Sequence, residues 1–459
     1  MDRWLNYLPY LVVTSLFLVL WLGFDFNGLY GQDAHEYLRY SNALKTFLET
    51  GANPGDFFWP KLYPIMGTVA GFTGIPVGFA LQMTSLFAML GSIYFAQRSI
   101  QFLYQKNSSW FLLLAAATQV YFVRAGLVVM SDALAACFVM GFVYNYLRLR
   151  RFRNGKYFVW AFLFAIAAFF TRYAVLPLLA IPLIHGFWLL FRQWGKPLRV
   201  ILTGLILVLI GVVFFAGLIA IDLSNSIVAD WNPLHLFQRT FIFQSHEEIY
   251  WVPNGVCIWS NFAHVGYLSC GVFLFFWWRH WNFKLTFLWI GLLVYLVFLG
   301  GIGFQNQRFM VISHLLVLIL LFPAFQALML WSKERKIFSV FIVGTLLLNA
   351  AFFYYSFSKM FAMHRFEKQV ASAIHTLEDD KTLYSFYITA SLGSYDIPNN
   401  RVDLWEEEIE FKKGGYIVFN PEQFSDNTRV MKNWRTANRR FELKIIHELP
   451  ENWNIYLIQ

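Results

Sequence analysis

The sequence predicts an all-α protein that crosses a membrane many times and carries a small C-terminal α/β domain. The chain has 459 residues, of which 58% are hydrophobic and only 14% are charged, whereas soluble domains carry about 25% charged residues. Apolar runs such as 8–24, 200–221 and 309–330 approach or exceed the roughly 17–20 residues that cross a bilayer. We therefore divide the chain into a membrane region, 1–360, and a polar C-terminal region, 361–459.

About eleven apolar segments of the membrane region are predicted to span the bilayer. They are residues 8–24, 76–97, 109–125, 132–149, 157–171, 173–191, 200–221, 256–278, 285–303, 309–330 and 337–357. The first segment is interpreted as an anchor that is not cleaved, because no small-residue cleavage site follows it.

Basic residues dominate the membrane region and gather in alternate loops. This region contains 24 Lys and Arg against 12 Asp and Glu, and cytoplasmic loops of membrane proteins carry an excess of Lys and Arg. We therefore expect a plasma (inner) membrane protein with a cytoplasmic N-terminus and an extracytoplasmic C-terminal domain. The net charge of +9 then requires no nucleic acid as a partner. Most of the acidic residues are assigned to the outer face.

The first predicted outer loop, 25–75, is too long for a simple connector. Its segment 34–48 places Tyr37 and Tyr40 at helical spacing among polar residues, which predicts an amphipathic helix in the plane of the membrane interface. A second apolar stretch, 62–72, is too short and too rich in glycine to span.

The second long outer loop, 223–255, gives two further expectations. Leu234, Phe237 and Phe241 predict another amphipathic stripe. The His-Glu-Glu run at 246–248 could bind a metal or supply an acid, but adjacent residues do not share a helix face. A solvated loop is therefore the favoured interpretation of this run.

The cysteines predict neither a disulfide framework nor a metal site. Cys137, Cys257 and Cys270 lie inside or near apolar runs, without the CxxC spacing that is typical of zinc sites.

The C-terminal region alternates helical and strand-like patterns. Helices are predicted at 366–377 and 421–434, the second starting with proline, which is favoured at the first position of a helix. Strands are predicted at 383–388 and 416–419, and a hairpin at 443–447 and 453–458. These patterns predict a small α/β domain.

Four ionisable residues stand at the outer ends of predicted spans. They are Asp33, Asp132, Arg172 and Arg308. Ionisable side chains at membrane depth are costly, so each indicates a functional site by default.

Both aspartates allow a catalytic and a structural interpretation. Asp33 could be a general base that removes a proton from a hydroxyl group, or it could form a capping pair with Glu36 at the start of the helix. Asp132 follows Ser131 at the start of a span, where a helix N-terminus also favours negative charge. The sequence leaves both alternatives open.

The outer cations also have two interpretations. Arg172 and Arg308, and less strongly Lys61 and Arg124, could bind a lipid phosphate, arginine through a bidentate fork and lysine as a point charge. Alternatively, they pair with the aspartates for folding alone. The nearby aromatic residues, Tyr63 among them, are explained most simply by packing at the interface, although aromatic rings also suit the faces of sugars.

The order of these features is similar to that of the C-type (GT-C fold) glycosyltransferase superfamily, and in particular to the protein O-mannosyltransferases and the lipid A aminoarabinose transferases. The resemblance covers most of the membrane region and the C-terminal domain after it. Five motifs carry it: GQDAHEYLRYSNAL at 31–44, WPKLYP at 59–64, RAGLVVMSDALAA at 124–136, FFTRYAVLPLL at 169–179 and QNQRFMV at 305–311.

This resemblance implies an enzyme that uses a sugar donor carried on a polyprenyl or dolichyl phosphate, at the non-cytoplasmic face. Asp33 matches the catalytic aspartate of the first loop and Asp132 a second acidic residue near the site. Lys61, Arg172 and Arg308 match positions that contact the donor phosphate, and the interpretation extends to Arg124.

Glu36, Tyr37, Tyr63 and His35 complete the candidate set. Glu36 is a catalytic candidate and the other three are substrate-binding candidates. Many members of the superfamily have adjacent Asp and Glu in the first loop, whereas Ala34 follows Asp33 here. This departure leaves open whether Glu36 substitutes and whether a divalent metal is used.

The predicted function is thus transfer of a hexosyl or pentosyl group from the lipid phosphate to an acceptor glycan, lipid or protein. Two other classes stay open. A polysaccharide polymerase or ligase would depend on the arginines more than on a carboxylate base. A lipid or solute transporter would show internal repeats and charges near the middle of the membrane, and neither is evident.

Overall fold

The computed structural model describes residues 2–192, 231–243, 246–249, 252–264, 267, 285–303, 305–335 and 337–459. The α-helices in these ranges are α1 Asp2–Leu5, α2 Leu8–Phe24, α3 Gln32–Thr50, α4 Leu62–Gly71, α5 Val77–Tyr104, α6 Ser109–Leu112, α7 Val120–Leu127, α8 Asp132–Phe152, α9 Gly155–Thr171, α10 Leu176–Phe191, α11 Asn254–Cys257, α12 Ser260–Ala263, α13 Thr286–Gly300, α14 Val311–Glu334, α15 Phe338–Ile374, α16 Thr389–Ser394 and α17 Thr428–Arg440. The strands are β1 Thr240–Phe243, β2 His246–Ile249, β3 Leu383–Ser385, β4 Arg401–Asp403, β5 Tyr416–Phe419, β6 Leu443–Glu448 and β7 Asn454–Ile458.

Three described helical segments are long and apolar enough to cross a membrane, namely Val77–Tyr104, Tyr173–Phe191 and Gln307–Glu334. A fourth span results if Ser109–Ala117 and Val120–Leu127, which are bent by 76° at their break, count as one. The prediction of about eleven spans is therefore wrong for the described part of the chain, which contains three or four.

The difference arises because an apolar run does not show where its helix ends. α2 and α9 have 17 residues each and α13 has 15, which is short for a 30 Å hydrocarbon core at 1.5 Å per residue. α9 ends because Arg172 adopts an extended conformation. The predicted span 200–221 and most of the predicted span 256–278 lie outside the described residues.

The helices pack around α8 and α14. α8 contacts α5, α9 and α14, and α10 packs against α13. In the most apolar 18-residue stretch of α14, 83% of the residues are buried inside the protein. This helix is therefore surrounded by other helices and not by lipid. The helix predicted at 34–48 is present as α3, which lies against α4 and α16.

The C-terminal region forms a mixed five-stranded sheet in the order β4-β3-β5-β7-β6. β3 is parallel to β4 and β5, whereas β7 is antiparallel to β5 and β6. Side chains alternate between the two faces of the sheet. Leu383, Val418 and Ile455 pack with the C-terminal part of α15, and Ile417, Phe419 and Tyr456 share the second core with α17.

Several predicted C-terminal elements are confirmed and one is wrong. The helix ending near 377, the strands near 383 and 416 and the final hairpin are present. The helix predicted from 421 starts only at Thr428, because the Asn427 side chain accepts from the Val430 N–H and caps it there. Residues before it form a turn in which Asn420 Oδ1 accepts from Glu422 and Gln423 N–H.

The second outer loop also differs from the prediction. Its 3₁₀ segment Pro233–Phe237 ends before Phe241, which lies on β1, so the three apolar residues do not share one helix. The run 246–248 lies on β2, paired antiparallel with β1, and is not a loop. The sequence analysis placed the boundary between the membrane region and the C-terminal region at residue 360. α15 continues through this position without a break and connects the helical bundle to the sheet.

Candidate active site

The four ionisable residues selected from the sequence come from distant parts of the chain and meet as two ion pairs. Asp33 lies in the first turn of α3 and Asp132 in the first turn of α8. Arg172 follows the last residue of α9, and Arg308 lies in the 3₁₀ segment Gln307–Met310 that leads into α14. The sequence predicted their convergence only because all four residues lie at the outer ends of predicted spans.

A glycine and a close backbone approach position Asp33. Gly31 is the N-cap of α3 with φ +76°, a conformation that residues other than glycine rarely adopt. No side chain caps α3, and Asp33 lies inside its first turn. The alternative interpretation of Asp33 and Glu36 as a capping pair is therefore wrong. Upstream, the backbone of Gly28 accepts from the Val129 N–H at 2.8 Å, and a Cβ at Gly28 would lie 2.9 Å from the Gln82 side chain. The loop before α3 is thereby fixed against the loop before α8.

The first ion pair joins Asp33 to Arg308 and is partly accessible. Arg308 Nη2 donates to Asp33 Oδ2, and the two side chains keep 22% and 23% of their surface exposed. Arg308 Nη1 points at the sulfur of Met130 at 3.3 Å. The Arg308 Nε–H is buried and has no hydrogen-bond partner among the described residues. A buried donor without a partner costs free energy unless a ligand or water satisfies it.

The second ion pair joins Asp132 to Arg172 and is buried. Arg172 Nη1 donates to Asp132 Oδ1, and the Asp132 side chain is only 2% exposed, against 15% for Arg172. In this conformation an external substrate cannot reach the Asp132 carboxylate. The geometry therefore favours a role for Asp132 in holding Arg172.

Phe309 connects the two pairs. Its ring centroid lies 5.1 Å from the guanidinium carbon of Arg172 and 5.8 Å from that of Arg308, within the range of cation–π contacts. The Tyr295 hydroxyl donates to the Phe309 carbonyl at 2.9 Å, which holds this segment against α13. The sequence analysis missed Phe309, although its place directly after Arg308 in QNQRFMV was a usable signal.

Tyr37 and Tyr63 lie beside the pairs but are fully packed. The Tyr37 hydroxyl contacts Ser131 Oγ at 2.9 Å, and that of Tyr63 contacts Ser85 Oγ at 2.7 Å. Burial raises the pKa of both phenols well above the ordinary value, so both stay neutral. Because both side chains are buried, they position the walls of the site and do not present their faces to a substrate in this conformation.

Two other candidates pair with residues outside the two ion pairs. Glu36 accepts from Arg39 Nε at 2.8 Å on the exposed side of α3. His35 is buried, and its Nδ1 contacts Ser394 Oγ of α16 at 2.9 Å. Its Nε2 lies 3.6 Å from Glu367 of α15. His35 therefore joins α3 to the C-terminal domain.

Lys61 and Arg124 are not part of either ion pair. Lys61 is exposed at the start of α4, with its Nζ 5.8 Å from the Tyr40 ring centroid. Arg124 lies on α7 with its guanidinium carbon 4.5 Å from the Tyr30 ring centroid. Among the described residues neither cation has a carboxylate within 4 Å, so both charges are available to an anionic ligand.

A polar cavity of about 490 Å³ lies between α3 and the C-terminal domain. Glu36, Arg39 and Asn42 line it on the α3 side, and Arg401 and Asp403 line it on the sheet side. Burial raises the pKa of Asp403, although its carboxylate accepts from the Trp405 N–H. The sequence analysis did not find this cavity, because its two walls are more than 300 residues apart. Glu36 lies one helical turn from Asp33, so the cavity opens close to the accessible ion pair.

No group of three or more His, Cys, Asp or Glu is placed to hold a metal ion within the described ranges. The two aspartates are each paired with an arginine. The chemistry proposed for the site uses only the side chains described above.

Comparisons with known proteins bear on the fold. No protein-family profile matches the sequence, and no curated protein matches it. Among solved structures, ArnT from Cupriavidus metallidurans bound to undecaprenyl phosphate matches with a TM-score of 0.59 and 13% identity, over 97% of each chain. The same enzyme in the apo state matches over the same share of each chain, with a TM-score of 0.48 and 13% identity. ArnT is a lipid A aminoarabinose transferase of the GT-C fold. From end to end, the chain has the fold of this glycosyltransferase.

Proposed function

We propose that this protein is a membrane glycosyltransferase that moves a sugar from a polyprenyl-phosphate carrier to an acceptor hydroxyl group. The observation that carries the proposal is the Asp33–Arg308 pair, which is accessible and has an unpartnered Arg308 Nε–H. A carboxylate suits proton removal from a hydroxyl group, and a guanidinium suits a phosphate. The fold shared with ArnT, which was crystallised with undecaprenyl phosphate, supports the choice of donor.

In the proposed reaction, Arg308 interacts with the donor and Asp33 with the acceptor. The donor phosphate draws Arg308 toward it, and this movement frees the Asp33 oxygen that Arg308 holds. Asp33 then takes the proton of the acceptor hydroxyl as that oxygen bonds to the anomeric carbon of the donor sugar. The bond from the anomeric carbon to the phosphate oxygen breaks, and the lipid phosphate leaves with both electrons. Preorganised positive charge stabilises this departing anion.

Arg172 is the second source of that positive charge. Asp132 holds one Nη group of Arg172, and 15% of the Arg172 side chain stays exposed next to Phe309. Removing Asp132 would leave Arg172 without its partner, so the two residues act as a unit. We assign Lys61 and Arg124, which have no carboxylate partner in the described ranges, to outer contacts with the phosphate.

We assign acceptor selection to the polar cavity between α3 and the C-terminal domain. Its lining of carboxylates, guanidinium groups and an amide suits a hydroxylated group, which offers both donors and acceptors of hydrogen bonds. The basic loops of the membrane region lie at the other ends of α5 and α8. The proposed site is therefore at the non-cytoplasmic face, with residues 361–459 outside the membrane.

The experiment that tests this function compares cells with and without the gene. Mass spectrometry of lipid-linked sugars and of surface glycans should show loss of one glycan mass and accumulation of one lipid-phosphate sugar in the deletion. Wild-type protein should restore the glycan, and Asp33→Asn should not. Glu49→Gln is the matched control, because it removes the same charge from an exposed position near the other end of the same helix. Restoration by Asp33→Asn, in protein shown to be inserted, would eliminate the proposed base.

The same complementation separates the alternative classes. Full activity of both Asp33→Asn and Asp132→Asn, with loss in Arg308→Ala, would favour a polymerase or ligase that acts on lipid-linked oligosaccharide. Unchanged glycans and unchanged lipid-linked sugars in the deletion would exclude both the proposed glycosyltransferase and the polymerase or ligase.

A further inference from the structure

The end of the bundle opposite the ion pairs carries a concentrated positive charge. Arg148 lies sixteen residues after Asp132 on α8, which is roughly 24 Å along the helix axis at 1.5 Å per residue. Between residues 57 and 221 the sequence contains one acidic residue, Asp132. The cations at this opposite end are Arg98, Lys106, Arg148, Arg150, Arg151, Arg153, Lys156 and Arg192. The cations at this end therefore far outnumber the acidic residues, one of which, Glu334, lies at the end of α14.

A second cavity lies within this basic end, between α5, α8 and α9. It encloses about 330 Å³. Its walls combine two cations with aromatic rings, contributed by Phe95, Tyr144, Arg148, Lys156, Tyr157 and Trp160. The cavity contains no acidic residue. Such a lining suits an anion that is attached to an apolar group.

Contacts within the protein hold the Arg148 guanidinium in place. Arg148 Nη2 donates to the Tyr157 hydroxyl at 2.8 Å. Its guanidinium carbon lies 4.2 Å from the Tyr157 ring centroid and 5.4 Å from that of Tyr144. Within the described ranges Arg148 has no carboxylate within 4 Å. A cation that is oriented by aromatic rings, yet lacks a counter-ion, is preorganised for an external anion.

The apolar surface next to the cavity continues along α9 toward the middle of the bundle. Val159, Trp160 and Leu163 are exposed on this helix, and their spacing places them on adjoining parts of one face. Lys156 is exposed at the start of the same helix. A charged cavity that opens onto an exposed apolar helix face matches the shape of a phospholipid, whose phosphate lies at the membrane surface and whose chains run inward.

We propose that this cavity binds the phosphate head group of an anionic glycerophospholipid in the leaflet opposite the active site. Arg148 and Lys156 contact the phosphodiester, Trp160 packs against the glycerol and ester region, and the acyl chains lie along α9. Basic pockets between helices at a membrane surface are known to recognise anionic lipids. This inference does not depend on the proposed transferase activity.

The test measures lipid adducts on the purified full-length protein by native mass spectrometry. The probes are dioleoyl phosphatidylglycerol and dioleoyl phosphatidylcholine, which share their acyl chains and differ in net charge. Two double variants each remove two positive charges from the same end of the bundle. Arg148→Gln/Lys156→Gln removes both cations of the cavity. Lys106→Gln/Arg335→Gln is the control, because neither residue lines the cavity. Lys156→Gln alone, at an exposed position, covers the case in which the double variant fails to fold.

We expect the wild-type protein to prefer phosphatidylglycerol. The cavity double variant should lose about 20- to 30-fold in affinity, at roughly fivefold per basic residue, and Lys156→Gln alone about fivefold. The control variant should change affinity by less than twofold, and glycerol 3-phosphate should compete only at far higher concentration. Equal losses in the two double variants would show that diffuse charge, and not the cavity, attracts the lipid. No preference between the two lipids would also overturn the proposal.

Discussion

The two ion pairs at the candidate active site use the same chemistry in different surroundings. In each, an aspartate in the first turn of a helix accepts from an arginine that lies between two helices, and both arginines contact Phe309. The Asp33–Arg308 pair keeps about a fifth of its surface exposed, whereas Asp132 is almost completely buried. A buried pair resists separation because each unpaired charge would remain in a medium of low polarity. An exposed pair can exchange partners with a substrate.

An ion pair alone does not distinguish a catalytic residue from a structural one. The accessible surface and the unpartnered Arg308 Nε–H are what assign the reaction to the first pair. The second pair then serves to fix Arg172 and the start of α8. Variants that separate activity from stability test this division.

The largest expected effect is on the rate of transfer in Asp33→Asn. Loss of the proposed base should lower the rate about 100- to 10,000-fold, while the midpoint of thermal unfolding in detergent stays close to that of the wild type. The rate is measured as sugar released from the lipid-phosphate donor into the acceptor. Glu49→Gln should retain the rate within about twofold, because Glu49 is exposed near the end of α3 and does not line the polar cavity. A rate in Asp33→Asn equal to that of Glu49→Gln would contradict the division.

The second effect is on stability and concerns Asp132→Asn. Removing one partner of the buried pair should lower the free energy of unfolding by about 3–5 kcal/mol, against about 1 kcal/mol for Asp33→Asn. Chemical denaturation in detergent measures both. The double variant Asp132→Asn/Arg172→Gln should recover part of the loss, since it leaves no unpaired charge. Equal destabilisation by the two single variants would remove the distinction between the pairs.

A third effect concerns binding of the donor lipid. Arg308→Gln should weaken the binding of undecaprenyl phosphate about 10- to 100-fold, which corresponds to loss of roughly 1.5–3 kcal/mol from a hydrogen bond to a charged group. Tryptophan fluorescence titration or native mass spectrometry provides the affinity. Phosphate-free undecaprenol serves as the control ligand and should bind both proteins alike. Unchanged binding of the phosphate by Arg308→Gln would place the phosphate elsewhere.

The smallest effect is expected from Tyr37→Phe. This change removes the hydroxyl that contacts Ser131 and leaves the ring in place, so it should cost about 1 kcal/mol of stability. Because Ser131 precedes Asp132, the loss should be smaller when Asp132 has already been replaced, and a double-mutant cycle measures that coupling. Additive losses would show that Tyr37 does not support the second pair.

Much of the local structure could be predicted because it depends on short-range patterns. The helical spacing of Tyr37 and Tyr40 predicted α3, and two strand-like runs joined by the turn residues 450–452 predicted the final hairpin. The helix expected at 421 was misplaced, because proline only permits a helix start, whereas the Asn427 side chain makes the hydrogen bond that caps the actual one. The number of spans was overestimated, since composition does not reveal where a backbone leaves the helical conformation, as it does at Arg172.

The sequence by itself determined which residues carry unusual charge, because burial cost keeps such charges rare, and it predicted that they lie at the same ends of the spans. Only the tertiary structure decided how they pair. Asp33 and Arg308 are 275 residues apart, and no local pattern states that α3 and α14 start side by side. Only the tertiary structure decided the exposure of the two aspartates as well. The packing of the surrounding helices leaves Asp33 available to a substrate and buries Asp132.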